Sequence, residues 1–126
     1  MSDTESSLQL MQEIDRQISH IWMVRTFLKH SDEASEDEEL AEVHRELYDF
    51  MLALGPSLDA GDSENYLKLA HKKFGKLKGA LRLFIEIQPE ISGHMNYKMA
   101  VKSLDLAVRQ VARLLGRQEE LPPSDK

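Results

Sequence analysis

The stretch LKLAHKKFGKLKGALRLFIEIQ, residues 67–88, is the clearest indicator of the architecture of this 126-residue chain. Its apolar residues recur at steps of three and four, at Leu67, Ala70, Phe74, Leu77, Leu81 and Phe84, and the same spacing reaches Gln88. Because a helix turns once every 3.6 residues, this spacing places the whole series on one side of a helix. The pattern predicts an amphipathic helix that buries one face against other helices.

Three further series have the same spacing and predict three more helices. They are Leu8, Met11, Ile14, Ile18, Ile21, Arg25 and Leu28; then Leu40, Val43, Leu47, Phe50 and Leu54; and finally His94, Tyr97, Val101, Leu104, Val108, Val111 and Leu115. No segment alternates with the period of two that a half-buried strand requires. Since short loops would join these helices, we predict an all-α, antiparallel up-down-up-down four-helix bundle.

Capping and breaking residues set the expected helix limits. These signals are SEDE at Ser35 to Glu38, Gly55-Pro56, Asp62 or Ser63, Pro89, and Ser92-Gly93. The first has the capping-box pattern, and the prolines are expected to end helices because proline cannot continue one. We therefore expect one domain over residues 1–117, with helices at about 4–30, 36–54, 63–88 and 93–116, and a flexible tail over residues 118–126.

Composition narrows the classes of protein to consider. Hydrophobic residues make up 41% and charged residues 30% of the chain, as in ordinary globular domains. The absence of cysteine excludes disulfides, thiol nucleophiles and thiolate metal sites. The first residues, MSDTESSLQL, lack the basic and apolar regions of a signal peptide, and no apolar run is long enough to span a membrane. We expect a cytoplasmic protein that does not bind membranes.

The net charge of −6 conceals a division between the two halves of the chain. Residues 1–64 hold sixteen Asp and Glu against four Lys and Arg, whereas residues 65–126 hold six against twelve. One interpretation is that the acidic and basic halves pack against each other within the fold. The other is that one half recognises a charged partner.

The stretch HIWMVRTFLKHS, residues 20–31, places Arg25 where the helical spacing calls for an apolar residue. In an up-down bundle this end of the first helix is near a set of polar residues on the other helices. We predict a polar cluster of Trp22, Arg25, His44, Glu86, His94 and Tyr97. A buried guanidinium needs an acceptor, so Arg25 is expected to meet Glu86, an acid of the second helix, or water.

Three interpretations of this cluster remain open. It is a structural ion pair that fixes helix register, a small-anion site formed by Arg25, His44, His94 and Tyr97, or a metal site of His30, His44 and His94. The Glu-x-x-His pairs of di-iron bundles are absent. No catalytic motif of the common hydrolases or phosphate-binding proteins is present either. We therefore expect no enzyme activity, no cofactor and no bound metal.

Residues 67–88 also carry a series of regularly spaced lysines. Lys68, Lys72 and Lys76 recur every four residues, and residues 65–85 contain no acid. Gly75 and Gly79 lie away from the apolar series, although each costs up to about 1 kcal/mol relative to alanine inside a helix. Outward glycines allow another backbone to approach closely. We predict a partner-docking face of Lys72, Gly75, Lys76, Lys78 and Gly79.

GKLKGA, Gly75 to Ala80, resembles the motif of histidine-phosphotransfer domains, in which the phosphoaccepting histidine is followed by x-Leu-Lys-Gly-Ser/Ala. Leu77, Lys78, Gly79 and Ala80 match this motif, and Gly75 stands at the position of the phosphoacceptor. The resemblance implies a four-helix bundle that docks receiver-type partners without accepting phosphate.

IWMVRTFLKHS and LYDFMLALGP resemble segments of small all-helical bacterial proteins of uncharacterised function, some of which carry an amidohydrolase label. That label implies metal-dependent hydrolysis on a much larger α/β barrel. This chain is too short for such a barrel and has no predicted strands, so amidohydrolase-type activity is not expected.

The preferred functional prediction is a non-enzymatic protein-interaction or scaffold module that binds a protein partner or itself, as a homodimer. The alternatives are a small-anion or metal-binding bundle with a pocket near Arg25, and a degenerate histidine-phosphotransfer-like docking domain. We expect no nucleic-acid binding. The acidic half would repel phosphates despite Lys98, Lys102, Arg109, Arg113 and Arg117 on the last helix.

Overall fold

The computed structural model of the protein describes residues 3–123. Its helices are α1 (Asp3–Lys29), α2 (Asp32–Glu36), α3 (Glu38–Ala60), α4 (Ser63–Ile91) and α5 (Met95–Leu114), followed by a 3-10 turn at Gln118–Glu120. The described residues contain no strand. The prediction of an all-α, antiparallel four-helix bundle is confirmed, with α1, α3, α4 and α5 as the long helices.

The four long helices enclose one apolar core. Helix α3 packs on α1 and α4, α5 packs on α1 and α4, and α1 also touches α4 across the bundle. The predicted series of α4 is buried from Ala70 to Gln88, with Leu67 half-buried at its start. Each helix alone would leave its apolar side in water, so the association of all four stabilises each of them.

The core face of α1 differs from the predicted series at one position. Ile21, Val24 and Leu28 are all buried, so the buried series of α1 passes through residue 24 and not through residue 25. Arg25 is next along the helix and only half-buried at the edge of the core. The expectation that Arg25 occupies an interior position was therefore wrong. Val24 fits the same helical spacing, and burying it does not remove a charge from water.

The start of α3 is capped by Asp37 instead of Ser35. The Asp37 carboxylate accepts a hydrogen bond of 2.9 Å from the Leu40 backbone N–H. Ser31 caps the short helix α2 in the same way through Ala34. SEDE is thus divided between the end of α2 and the start of α3. Asp62 is the cap of α4, and its carboxylate accepts from the Asn65 backbone N–H.

Neither proline ends its helix, contrary to the predicted boundaries. Helix α3 continues through Pro56 to Ala60, and α4 continues through Pro89 to Ile91. Both prolines are exposed, as are the residues four positions earlier, so each lost backbone bond lies on the solvent side of its helix. Helix α3 ends at Gly61, whose φ of 69° is a left-handed conformation that glycine adopts without strain.

The last helix starts at Met95, where the prediction allowed Ser92-Gly93. The ring Nδ1 of His94 accepts a 3.0 Å hydrogen bond from the Asn96 backbone N–H, so His94 is the N-cap. The Ser92 hydroxyl accepts from the His94 backbone N–H. These bonds satisfy backbone donors that the first turn of a helix leaves without partners.

The C-terminal segment packs on the bundle. Leu121 is only 6% exposed and belongs to the core cluster, and the turn at Gln118–Glu120 is fixed by ion pairs to α4 and to Arg117. Part of the segment expected to be a flexible tail thus contacts the bundle, through a buried leucine and the paired charges of Glu120. Residues 124–126 of the predicted tail lie outside the described part of the chain.

Candidate functional site

Arg25 lies against aromatic rings on the outer side of α1 and α3. Its guanidinium carbon is 4.9 Å from the centroid of the Trp22 ring and 4.4 Å from that of Tyr48. The two rings are 6.4 Å apart and tilted by 46°. Arg25 Nε is buried and has no hydrogen-bond partner. The side chain is therefore held by cation–π attraction and packing, and the acceptor expected for it is absent among the described residues.

The structure divides the predicted polar cluster into separate groups. Trp22 and Arg25 lie on the side of α1 that faces α3, close to His44 of α3, whose pKa is lowered in part by the charge of Arg25. Tyr97 packs instead on Phe27, at 5.1 Å between ring centroids. Residues 25 and 27 point to opposite sides of a helix, so α1 separates the two groups.

Glu86 lies apart from both of these groups, exposed on α4. The structure therefore does not bring the six members of the predicted cluster together, and the small-anion site predicted from Arg25, His44, His94 and Tyr97 loses its geometric basis.

Tyr97 and Glu33 form the second group, between α5 and α2. The Tyr97 hydroxyl donates a 2.8 Å hydrogen bond to Glu33 Oε1. This bond is the main cause that lowers the pKa of Glu33, and nearby His94 lowers it further. Burial raises the pKa of Tyr97. The pair stabilises the junction of α2 with the bundle as a neutral donor and an ionised acceptor.

The three histidines of the predicted metal site do not form one. His94 uses its Nδ1 lone pair as a helix cap, and His30 is exposed. His44 is half-buried beside Arg25, and its pKa is lowered by burial first and then by the charges of Arg25, Arg45 and Lys29. Within the described part of the chain no group of three or more His, Asp or Glu is arranged to hold a metal ion.

A groove between α1 and α3, floored by α4, is lined mainly by apolar side chains. We call it the aromatic groove. It encloses about 430 Å³ and is lined by Trp22, Tyr48, Leu52, Ile18, Met51 and Leu58, together with Asp15, Asp59 and Tyr66. Trp22 is 44% exposed and Leu52 58% exposed, although both are large apolar side chains. Such a volume and lining are typical of sites that bind organic ligands.

Two polar groups of the aromatic groove lack a partner among residues 3–123. The Tyr66 hydroxyl is buried and makes no hydrogen bond, and burial, with a smaller contribution from the charge of Asp15, strongly raises its pKa. The Asp15 carboxylate makes no ion pair with the described residues, and burial raises its pKa as well. A buried hydroxyl without a partner costs free energy, so Tyr66 is the group whose missing hydrogen bond a ligand would supply, whereas the half-exposed Asp15 carboxylate remains in contact with water.

The aromatic groove was not predicted from the sequence. Its signal was available in the apolar residues that fall outside the helical series, namely Trp22, Tyr48 and Leu52. Tyr48 and Leu52 are four residues apart and so share a side of α3. Asp15 and Tyr66, by contrast, become neighbours only when α1 and α4 pack together, and no local pattern connects them.

Helix α4 has three covered sides and one open side. Phe74, Leu77 and Leu81 face the core. On one flank Lys76 Nζ is 3.6 Å from Glu46 Oε1 of α3, and on the other Lys78 Nζ is 2.9 Å from Glu120 Oε1. Of the predicted docking face, Lys72, Gly75 and Gly79 are therefore on the open side, whereas Lys76 and Lys78 have intramolecular partners.

The open side of α4 carries a symmetric charge pattern. We call it the open face and define it by the exposed residues Lys68, Lys72, Gly75, Gly79, Glu86 and Glu90. At 100° per residue, the charged members lie within about 20° of Gly79 around the helix. Lys72 and Glu86 are each seven residues from Gly79, and Lys68 and Glu90 are each eleven. Opposite charges thus stand at equal distances from one glycine.

A cluster around Arg117 fixes the C-terminal segment. Arg117 donates to both Glu120 oxygens at 2.7 and 3.1 Å and to the His71 carbonyl at 2.7 Å, while its guanidinium carbon lies 4.8 Å from the Phe74 ring. We call this the Arg117 cluster. The hydrogen bonds from Arg117 and Lys78 lower the pKa of Glu120 to about 2. The cluster closes the flank of α4 that carries Lys78.

No family model, curated protein or solved structure matches the chain. Within residues 3–123, no helix combines the length and apolar character needed to cross a membrane.

Proposed function

We propose that the chain is a non-catalytic interaction module that pairs with a second copy of itself through the open face of α4, with the two α4 helices antiparallel. The observation that carries this proposal is the equal spacing of opposite charges about Gly79. A two-fold symmetric interface joins the same surface of both copies and must therefore complement itself.

The symmetry predicts specific pairs. A two-fold axis at Gly79 brings Lys72 of each copy beside Glu86 of the other, and Lys68 beside Glu90. The same operation brings the half-buried Leu83 over Gly75, since both are four residues from Gly79. Each contact occurs twice in the pair of molecules.

The glycines favour a close approach of the two helices. Apart from its chain neighbours and the adjacent backbone of α4 itself, a side-chain carbon built on Gly75 or Gly79 would meet no atom within 4 Å, so the space beside these glycines is open. Their conformations are not left-handed, so the fold alone does not demand glycine at these positions. A second helix packed there would account for two residues that weaken an isolated helix.

The charges of the open face form no ion pair among the described residues, so they are available to a second copy. Lys76 with Glu46 is the one ion pair that joins the acidic and basic halves among the described residues, and Lys76 is still half-exposed. The other ion pairs lie within the second half. Exposed ion pairs contribute about 0.2–1 kcal/mol each, so the association should be weak and sensitive to salt.

A receiver-docking function has less support from the geometry. It requires a freely accessible Lys78 in the GKLKGA motif, whereas Lys78 is engaged with Glu120.

Sedimentation velocity at low and high salt tests the proposal. We expect a dimer at low salt that dissociates as salt screens the ion pairs between the two α4 helices. A monomer under both conditions would remove the proposal.

Exchanging the charges of Lys72 and Glu86 tests whether the two-fold axis lies at Gly79. Lys72→Glu alone and Glu86→Lys alone each place like charges together in their own dimer, so both variants should be monomeric. Their mixture should form a heterodimer, because the exchanged charges are then complementary across the axis. Lys98→Glu, an equal charge change at an exposed position of α5, is the matched control and should leave self-association intact. Failure of the mixture to associate would contradict pairing about Gly79.

A further inference from the structure

We propose that the aromatic groove binds a small hydrophobic amine, with its ammonium group between Asp15 and Tyr66 and its apolar body directed toward Trp22 and Tyr48. This site lies between α1 and α3 over the first turn of α4, and it is separate from the open face farther along α4. The groove has a polar end and an aromatic end, and each selects one part of such a ligand.

The separation of the two ends gives the length of the ligand. Asp15, Ile18 and Trp22 follow the helical spacing along one side of α1, and all three line the groove. The seven residues from Asp15 to Trp22 span about 10 Å of helix. The cavity of about 430 Å³ is within the range of small-molecule sites. An ammonium joined to an aromatic ring by a short alkyl chain would reach from one end to the other.

The polar end selects a cationic donor. A primary ammonium has three N–H donors and no acceptor. One donor can bond the Asp15 carboxylate and another the oxygen of the Tyr66 hydroxyl, which has no partner within the described protein. Asp59 adds a second negative charge to the lining. The described lining contains no Lys, Arg or His, so an anionic ligand would find repulsion and no counter-charge.

The aromatic end is kept in position by Arg25. The guanidinium lies over Trp22 and Tyr48 but does not line the groove, so it supports the rings from outside. Its charge also disfavours an ammonium at this end. The ligand is therefore oriented with its amine at the Asp15 end.

The test uses three probes of nearly equal shape: 4-phenylbutylamine, the neutral 4-phenylbutan-1-ol, and the anionic 5-phenylpentanoate. Trp22 is the single tryptophan of the chain, so its fluorescence reports on the groove directly. Calorimetry provides an independent affinity. We expect the amine to bind at least about tenfold more tightly than the alcohol, because a charge-assisted hydrogen bond contributes about 1.5–3 kcal/mol. The carboxylate should bind weakest.

Two substitutions separate this site from a general apolar surface. Asp15→Asn should lower the affinity for the amine about tenfold and leave that for the alcohol nearly unchanged. Tyr66→Phe removes a buried hydroxyl that has no partner in the described protein, so the variant should melt at the same or a higher temperature while binding the amine more weakly. Asp49→Asn, an exposed carboxylate of α3 outside the groove, is the matched control.

Several results would overturn the proposal. Equal affinity for the amine and the alcohol, or an amine affinity that Asp15→Asn does not change, would show that the carboxylate does not recognise the ligand. No saturable change below about 1 mM amine by either measurement, in a folded protein, would show that the groove takes no such ligand.

Discussion

Arg25 and Arg117 both lie over aromatic rings of this bundle, but only Arg117 has hydrogen-bond acceptors around it among the described residues. Arg117 donates hydrogen bonds to Glu120 and to a backbone carbonyl while it covers Phe74. Arg25 covers Trp22 and Tyr48, and its buried Nε has no acceptor among the described residues. The first arrangement fastens a chain segment to the bundle. The second supports the end wall of a groove whose own polar groups are also unpaired.

The difference comes from the chain segment that covers each ring. The C-terminal turn places Glu120 beside Arg117 and buries Leu121 close by, so the charge of Arg117 is paired within the chain. Over residues 3–123 no segment crosses the α1/α3 side near Trp22, which therefore remains half-exposed. A fully hydrogen-bonded cluster indicates a structural role, whereas unpaired polar groups beside a cavity indicate binding.

Removing the aromatic ring beneath each arginine should give the largest difference in stability loss between the two regions. Phe74→Ala should destabilise the protein by about 3–5 kcal/mol, because it leaves a cavity in a fully buried position and removes the surface on which Arg117 lies. Trp22→Ala should cost about 1 kcal/mol, since much of that ring is already in water. Urea unfolding followed by circular dichroism measures both. Equal losses would contradict the assignment of the Trp22 side as a surface groove.

The two arginines themselves provide the next test. Arg117→Met should destabilise the protein by about 1–2 kcal/mol, because Glu120 and the His71 carbonyl lose charged donors. Arg25→Met keeps most of the packing volume and removes no hydrogen bond within the described chain, so its cost should be limited to the lost cation–π attraction, at most about 1 kcal/mol. The same urea experiment compares the variants. A larger loss for Arg25→Met would reveal a partner for its guanidinium.

Acid should selectively weaken the Arg117 cluster. The pKa of Glu120 is lowered from its usual 4.5 to about 2, so the folded protein favours the ionised carboxylate. Its contribution to stability is complete above about pH 4.5 and is lost as the pH falls from there toward 2. The stability difference between the natural protein and Glu120→Gln should therefore shrink over this range. Glu119→Gln, at the exposed neighbouring position, should show no such convergence.

A weaker pH effect is expected on the Arg25 side. Burial and then the charge of Arg25 lower the pKa of His44, so the folded protein favours the neutral ring and loses some stability as the pH falls below 6.5. Arg25→Met should raise the pKa of His44 toward that usual value, and Lys29→Met should raise it less. NMR titration of the ring protons measures both shifts. An unchanged His44 pKa in Arg25→Met would show that the two side chains do not interact.

Much of the fold was predictable because helical spacing is a local property. The series from Leu67 to Gln88 predicted which side of α4 is buried, and the outward position of Gly75 and Gly79 followed from the same geometry. The prolines led to wrong helix boundaries because a proline ends a helix only where its lost hydrogen bond is not tolerated. At Pro56 and Pro89 the solvent side of the helix tolerates it.

The candidate site was predictable only in part. Trp22 and Arg25 were singled out correctly as neighbours, but they were grouped with His94, Tyr97 and Glu86, which the fold places elsewhere. Whether Val24 or Arg25 is the buried residue of α1 depends on how the helix is rotated against its neighbours. A step of three or four residues satisfies the helical period equally well, so spacing alone does not distinguish them.

Spacing and composition along the chain were sufficient to predict that it is all-helical, which residues of most helices face inward, and that its charges are divided between two halves. Three features emerged only from the packed bundle: which charges find partners, the return of the C-terminal segment over one flank of α4, and the meeting of Asp15 and Tyr66 in the aromatic groove. The physical reason is that ion pairing and burial depend on distances between segments far apart in sequence, and only the packing of the helices sets those distances.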